Sequence, residues 1–224
     1  MDAIGVIAGP RTGSGHLCEL LANFPDLAAY PGVFAGGGVR GIDEAYWPLL
    51  RRLTGIAFED AHDPRVAAFA REQPAAWLDA LEQAAAAAGK RFLSFRLVNG
   101  ELPAATIDRD ILPRRGLRVV MVVRKQIDAF VSWRKAVELG KGRDVDTTGM
   151  RLTLDADHFA RWLDEQERWY DHWRNELGRR FMPCPVLRYE LDIDQPAERV
   201  LRRFAAAAAQ VGVMLRLPTS ITHA

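Results

Sequence analysis

Lysine and cysteine are scarce in this chain of 224 residues. Only four of its 30 basic residues are lysines, and no Gly-Lys-Ser or Gly-Lys-Thr sequence occurs, which excludes the Walker A loop of ordinary nucleoside triphosphatases. The two cysteines, Cys18 and Cys184, form neither a zinc-ligand spacing nor a disulfide framework. We therefore expect two reduced, largely buried thiols in a cytoplasmic protein.

The chain also lacks an excess of charge and a long apolar run. Its formal net charge is +1, so no overall field attracts nucleic acid or an anionic membrane. No stretch of about 18 apolar residues occurs, and no signal-peptide pattern is present near the start. We expect no nucleic-acid or membrane partner, and the composition leaves the oligomeric state open. The arginine bias and the alanine runs at 84–88 and 205–209 are typical of a GC-rich bacterial genome.

Strand-like and helix-like patterns alternate along the whole sequence. A hydrophobic content of 49% suffices for one sizeable core, so we expect a single domain over residues 1–224. The alternation predicts an α/β fold with three layers, in which helices cover both faces of a mostly parallel sheet. The predicted strands are 4–8, 91–98, 117–123 and 186–189, with a short extended piece within 27–34. The predicted helices are 14–23, 43–53, one from Pro64, one from Pro74 to Gly89, one after strand 117–123, one from Asp155 and 196–211.

Two smaller features follow from the same patterns. The polar segment 140–153 contains glycine and predicts a mobile loop. Trp162, Trp169 and Trp173 recur at helical spacing, which predicts that they pack in the core.

A glycine-rich turn follows the first predicted strand. Residues 9–16 read Gly-Pro-Arg-Thr-Gly-Ser-Gly-His and lead into an apolar-periodic helix. A strand, a glycine-rich turn and a helix aim backbone N–H groups and the positive end of a helix dipole at one point, where phosphate or sulfate esters bind. Arg11 places a cation inside this turn. The pattern therefore predicts an anion site that differs from an ATPase loop.

A second pair of polar residues follows the strand predicted over 117–123. Arg124 comes directly after this strand, and open α/β sheets bind ligands at the carboxyl ends of their strands. Ser132 follows eight residues later, about two turns into the next helix. A guanidinium and a hydroxyl are donors suited to a phosphate group.

These segments together resemble the sulfotransferases that use 3′-phosphoadenosine 5′-phosphosulfate (PAPS). The loop Pro10-Arg11-Thr12-Gly13-Ser14 is similar to the 5′-phosphosulfate loop of that family. The pair Arg124 and Ser132, about a hundred residues later, is similar to its 3′-phosphate site. Residues 186–191, followed by Asp194-Gln195-Pro196, are similar to a late strand and proline-initiated helix of the family. The resemblance covers residues 4 to about 212.

The resemblance implies a P-loop-NTPase-like fold and transfer of a sulfuryl group from PAPS to a hydroxyl or amine of a small-molecule or carbohydrate acceptor. It implies no metal, and it implies that Arg11 stabilises the bridging oxygen as the bond to sulfur breaks. For Tyr189 the sequence leaves open a core-edge position or a contact with adenine, and for His16 a helix-start residue or an adenine-stacking residue. The implied PAPS-binding residues are Arg11, Thr12, Gly13, Ser14, Gly15, His16, Arg124, Ser132 and Tyr189.

The sequence departs from the family where a general base is needed. Many members carry a glutamate shortly after the phosphosulfate loop, whereas residues 30–34 here contain no acid. Other members use a histidine before a Leu-Pro pair, and Glu101 takes that position here, before Leu102 and Pro103. Glu101 is therefore the leading candidate for the base. Asp43, Glu44 and His62 are the alternatives, because they lie in the region where we expect the acceptor pocket.

Two other function classes remain open from the sequence. A nucleotide kinase or P-loop NTPase would need a Walker lysine and a magnesium-binding acid at a strand end, where this chain has Arg124. A regulator that binds 3′-phosphoadenosine 5′-phosphate (PAP) without catalysis would need no base, which residues 30–34 permit.

Overall fold

The computed structural model describes residues 1–140 and 149–222, and its centre is a five-stranded parallel sheet. The strands lie in the order β2-β3-β1-β4-β5, and every neighbouring pair is parallel. All four predicted strands and the extended piece are confirmed. Their bounds are Asp2–Ala8 (β1), Leu27–Tyr30 (β2), Phe92–Val98 (β3), Leu117–Val123 (β4) and Val186–Arg188 (β5).

Helices connect these strands. The cap and proline signals of the sequence are confirmed at two of them: Asp63 accepts a hydrogen bond from the Arg65 N–H at the start of α3, and Asp155 accepts from the N–H groups of Asp157 and His158 at the start of α7. The bounds are Ser14–Leu21 (α1), Trp47–Thr54 (α2), Pro64–Glu72 (α3), Pro74–Ala87 (α4), Ala104–Thr106 (α5), Gln126–Leu139 (α6), Ala156–Arg179 (α7) and Ala197–Gln210 (α8).

Alternate residues of the central strands face two separate apolar layers. In β1, Ala3 and Ile7 pack with residues of α2, α3, α4 and α7, whereas Ile4, Val6 and Ala8 pack with α1 and α8. Helices therefore cover both faces of the sheet, which confirms the α/β three-layer fold. The P-loop-NTPase-like assignment stays a prediction.

The structure differs from the sequence prediction in three segments. The helix predicted over 43–53 begins with a 3-10 turn at Glu44–Tyr46 before α2. A short helix and a π-helical turn, Ala104–Thr106 and Ile107–Ile111, were not predicted. The strand predicted over 186–189 ends at Arg188, because Tyr189–Ile193 forms a second π-helical turn.

Hydrogen bonds explain that early strand end. The Asp192 carboxylate accepts from the Arg188 N–H at 2.8 Å, and the Asp194 N–H donates to the Tyr189 carbonyl at 2.7 Å. These bonds turn the chain away from the sheet. Residues 141–148 of the loop predicted over 140–153 lie outside the described residues.

The predictions for the tryptophans and the thiols are confirmed where the structure describes them. Trp162, Trp169 and Trp173 are all buried. Neither cysteine is in a disulfide; Cys18 is fully buried and Cys184 is half-buried. Burial raises the pKa of the Cys18 thiol to about 12, so this thiol stays un-ionised at neutral pH. Within the described ranges, no helix combines the length and the apolar composition that crossing a membrane requires.

Candidate functional site

The predicted anion-binding motifs follow the carboxyl ends of β1 and β4, which are neighbours in the sheet. Glu101, the predicted base, lies apart from both motifs, in the turn after β3. After β1 the chain continues through α1 to β2 at one edge of the sheet, and after β4 it continues to β5 at the other edge. The connections therefore diverge above β1 and β4. Open α/β sheets bind ligands in the crevice that such a divergence creates.

The loop from Gly9 to Gly13 has an unusual backbone. Arg11 and Gly13 both have positive φ, 60° and 82°. For Arg11 this left-handed conformation costs about 1–2 kcal/mol, which the surrounding structure must offset. Thr12 is buried and its hydroxyl donates to the Gly9 carbonyl at 3.0 Å. The loop is thus held in one tight turn, as its sequence predicts.

The start of α1 has two features of an anion-binding helix end. No side chain caps this end of the helix, and no acidic residue lies in its first turn. The first N–H groups of a helix have no partner within the helix, and the helix dipole adds positive potential there. Ser14 is buried at the first helical position, and His16 is exposed. An anion placed before Ser14 would meet backbone donors, which fits the predicted phosphosulfate position.

Arg11 connects the two predicted anion-binding motifs. Its Nε donates to Oγ of Ser132 in α6 at 3.0 Å. Arg124 donates from Nη1 to the Arg11 carbonyl at 2.9 Å. Residues separated by 113 and 121 positions in the sequence therefore meet at one place. The two motifs form one continuous basic site.

Tyr189 forms a wall of this site. The guanidinium carbon of Arg124 lies 4.0 Å from the centre of the Tyr189 ring, which is a cation–π contact. A Cβ atom on Gly13 would lie 2.5 Å from Cδ2 of Tyr189, so the ring packs directly on the loop. The adjacent Glu190 accepts from the Lys125 N–H at 2.9 Å and fixes the π-helical turn against the end of β4. The ring is half-buried and contacts the loop and Arg124.

Arg124 retains an unused donor. Its Nε is buried and has no hydrogen-bond partner within the described residues. A buried donor without a partner costs about 1–3 kcal/mol unless a ligand or water satisfies it. The donor set at this place, with the start of α1, suits a ligand that carries more than one phosphate or sulfate group.

Glu101 lies in the turn after β3, where its N–H donates to the Val98 carbonyl at 3.0 Å. Its Oε1 is 3.4 Å from Nη2 of Arg96. The other oxygen, Oε2, and Nε of Arg96 are both buried and lack partners among the described residues. Burial raises the pKa of Glu101, and the charges of Arg96 and Arg40 oppose that rise. Glu101 is thus a half-satisfied carboxyl group in a basic environment.

The alternative base candidates make other local contacts. Asp43 accepts from the Ala45 N–H at 2.9 Å as the cap of the 3-10 turn. Glu44 is exposed, and Nδ1 of His62 lies 3.4 Å from the Gly37 carbonyl on the surface. No contact within the described ranges links these three residues to the loop after β1. In the same ranges, no three His, Cys, Asp or Glu side chains gather as a metal-binding group.

The structure adds one side chain that the sequence reasoning missed. Tyr170 of α7 is buried, and its hydroxyl accepts from the Gly9 N–H at 2.7 Å and donates to the Val122 carbonyl at 2.8 Å. Nothing in the local sequence around Tyr170 signals this contact, because its partners lie 161 and 48 residues away.

No family model matches the chain, and no curated protein matches it.

Proposed function

We propose that this protein is a PAPS-dependent sulfotransferase, which moves a sulfuryl group to a hydroxyl or amine of a small-molecule or carbohydrate acceptor and releases PAP. The observation that carries the proposal is the joining of two motifs at adjacent strand ends: Arg11 donates to Ser132, and Arg124 donates to the Arg11 carbonyl. A nucleotide with anionic groups at both its 5′ and 3′ positions matches this continuous basic site.

In the proposed complex, each motif takes one end of the nucleotide. The 5′-phosphosulfate lies against the uncapped start of α1, where Arg11 adds a side-chain cation. The 3′-phosphate accepts hydrogen bonds from Arg124 and Ser132. The Ser132 oxygen already accepts from Arg11, so its own proton is available for a phosphate oxygen. Tyr189 borders the nucleotide beside Arg124.

The proposed chemistry is an in-line transfer at sulfur. The acceptor oxygen or nitrogen forms a bond to sulfur, while the bond from sulfur to the 5′-phosphate oxygen breaks. The electron pair of the broken bond stays on PAP, where Arg11 and the N–H groups of the loop stabilise the developing negative charge. The acceptor proton goes to Glu101, which must be ionised to take it.

One observation favours a second candidate, a PAP-binding protein without catalysis. The carboxylate of Glu101 pairs with Arg96, and no contact within the described residues links it to the loop after β1 or to Arg124. The nucleotide-kinase alternative is less favoured, because Arg124 directly follows β4, where a magnesium-binding acid would be needed.

Titration calorimetry with PAP, ADP and ATP, followed by incubation with PAPS and a panel of hydroxyl and amine acceptors, tests the proposal. We expect PAP to bind at least about tenfold more tightly than ADP, since a charge-assisted contact is worth about 1.5–3 kcal/mol. Turnover supports the enzyme, and tight PAP binding without turnover on any acceptor supports the regulator. Equal affinity for PAP and ADP would overturn both.

A further inference from the structure

The Tyr170 hydroxyl lies between two backbone groups that would otherwise hydrogen-bond to each other in the sheet. Ala8 of β1 lies opposite Val122 of β4, so the next bond of the parallel ladder would run from the Gly9 N–H to the Val122 carbonyl. The described residues make no such direct bond. The Gly9 N–H donates to Tyr170 Oη at 2.7 Å, and Oη donates to the Val122 carbonyl at 2.8 Å.

The direction of both bonds is fixed. A phenol has one proton, and burial raises the pKa of Tyr170 to about 12, so this proton is retained at neutral pH. The Val122 carbonyl can only accept, so it takes the proton of Oη. The hydroxyl must then accept from Gly9. Both backbone groups are satisfied through one oxygen atom instead of through each other.

The contact is closely packed as well as hydrogen-bonded. A Cβ atom on Gly9 would lie 3.0 Å from Tyr170 Oη and 3.1 Å from Oε1 of Gln166, which is also buried. Gln166 Oε1 in turn accepts from Nδ2 of Asn99, directly after β3, at 3.3 Å. One helix, α7, therefore contacts the carboxyl ends of β3, β1 and β4. The loop from Gly9 to Gly13, here called the anion loop, begins at this place.

We propose that Tyr170 is a positioning residue. Its hydroxyl, inserted between the ends of β1 and β4, separates these strand ends and so positions the loop that carries Arg11 to bind the nucleotide. A direct bond from Gly9 to Val122 would prolong the ladder into the loop. The inserted oxygen ends the ladder at Ala8, so the chain is free to enter the left-handed turn at Arg11. The inference concerns the same site and rests on the proposed function.

The variant Tyr170→Phe removes one oxygen and keeps the ring. We expect PAP affinity to fall by about tenfold to a hundredfold, because small displacements of binding groups cost that much. We also expect the Gly9 amide to exchange its hydrogen faster, while the Ile7 amide within the ladder keeps its wild-type rate. A merely structural role would accelerate both amides together. Tyr30→Phe is the matched control, since Tyr30 is a buried tyrosine at the end of β2 and β3 separates it from β1.

Gly9→Ala disturbs the same contact from the loop side. This variant tests the proposal if Tyr170→Phe does not fold. Its new methyl would press on Tyr170 Oη, so we expect a similar loss of PAP affinity. In the double variant the contact with Oη is absent and only the contact with Gln166 Oε1 remains, so the loss should be smaller than the sum of the two single losses. Additive losses, or wild-type PAP affinity and wild-type Gly9 exchange in Tyr170→Phe, would overturn the inference. If the wild-type protein does not bind PAP, the proposed function fails, while the exchange rates at Gly9 and Ile7 still decide the role of Tyr170.

Discussion

The guanidinium of Arg124 lies over the ring of Tyr189, with its central carbon 4.0 Å from the ring centre. Stacking and the hydrogen bond to the Arg11 carbonyl hold the side chain in one orientation before any ligand arrives. A preorganised guanidinium loses little conformational entropy when a phosphate binds. This relationship makes Arg124 the most informative residue for testing nucleotide binding.

Arg124→Ala should lower PAP affinity by about tenfold to a hundredfold, since it removes a charge-assisted contact worth about 1.5–3 kcal/mol. ADP lacks the 3′-phosphate, so its affinity should hardly change. Arg124→Lys should recover only part of the loss, because an ammonium neither stacks on Tyr189 nor forms a planar fork. Calorimetric titration of each variant with PAP and ADP measures these effects. Equal losses of affinity for both nucleotides would mean that Arg124 supports the loop instead of binding the 3′-phosphate.

Arg11→Ala should lower kcat by at least about 10²-fold, as expected when one preorganised donor to a developing negative charge is removed. Arg11→Lys should retain part of the rate, because the charge survives without the guanidinium geometry. Ser132→Ala is the matched variant: it removes the acceptor of Arg11 Nε and should raise the KM for PAPS more than it lowers kcat. Single-turnover rates with saturating PAPS separate the two effects. An unchanged single-turnover rate in Arg11→Ala would remove this residue from the chemical step.

Much of this site follows from local sequence, and some of it does not. The anion loop was predictable because an apolar strand, a glycine-rich turn and a helix lie within a short segment around Arg11. Arg124 was predictable because it directly follows an apolar strand. Tyr170 was not, because its hydroxyl meets Gly9 and Val122 only after α7 packs across the sheet.

The two π-helical turns escaped prediction for a related reason. Their hydrogen bonds, such as Asp194 to Tyr189, depend on the exact path of the chain after a strand, and no residue pattern marks a π turn. The sequence placed Tyr189 near the site but assigned it to a strand. The structure turns this ring onto Gly13 and Arg124.

Glu101→Gln should lower kcat by about 10²- to 10⁴-fold and leave PAP affinity intact, since the amide keeps the shape of the side chain but takes no proton. In the wild type the rate should rise with pH as Glu101 ionises, with a midpoint above the usual glutamate pKa of about 4.3, because burial raises this pKa. Arg96→Leu removes the nearest opposing charge and should move the midpoint to higher pH. Rate profiles over pH measure both. Near-normal turnover in Glu101→Gln would transfer the role of base to Asp43, Glu44 or His62.

The raised pKa of Glu101 also makes the stability of the fold depend on pH. In the folded protein this carboxyl holds its proton to a higher pH than in the unfolded chain. The contribution of Glu101 to the free energy of unfolding is therefore full below the unfolded value and falls as pH rises through the folded pKa. Glu101→Gln should remove this pH dependence, which urea titrations between the two pKa values can measure.

Gly13→Ala should abolish measurable PAP binding, because the new methyl would lie 2.5 Å from Tyr189 Cδ2 at a backbone φ of 82°. Gly89→Ala is the matched control: Gly89 has a φ of 70° with no atom within 4 Å of an added Cβ. Both variants should lose about 1 kcal/mol of stability from the left-handed backbone. Only Gly13→Ala must also displace Tyr189. Thermal melts and PAP titrations distinguish the two, and wild-type PAP affinity in Gly13→Ala would contradict the assigned position of the nucleotide.

Asp26→Ala should destabilise the fold and leave the site intact. The Asp26 carboxylate is fully buried and accepts from the Arg216 N–H at 3.3 Å, with Nε of the same arginine at 3.5 Å, so it fastens residues after α8 to the turn before β2. Losing a buried acceptor costs about 1–3 kcal/mol, which corresponds to a fall in Tm of about 2–4 °C per kcal/mol for a chain of this size. Asp79→Ala is the control, because Asp79 is mostly exposed and its partner Arg114 keeps its ion pair with Glu82. The effect of Asp79→Ala on stability should therefore stay within about 0.5 kcal/mol.

Since Asp26 lies just before β2, whereas the site lies beyond the carboxyl ends of β1 and β4, PAP affinity should not change in Asp26→Ala. A parallel loss of PAP affinity in Asp26→Ala would mean that the segment after α8 is coupled to the nucleotide site.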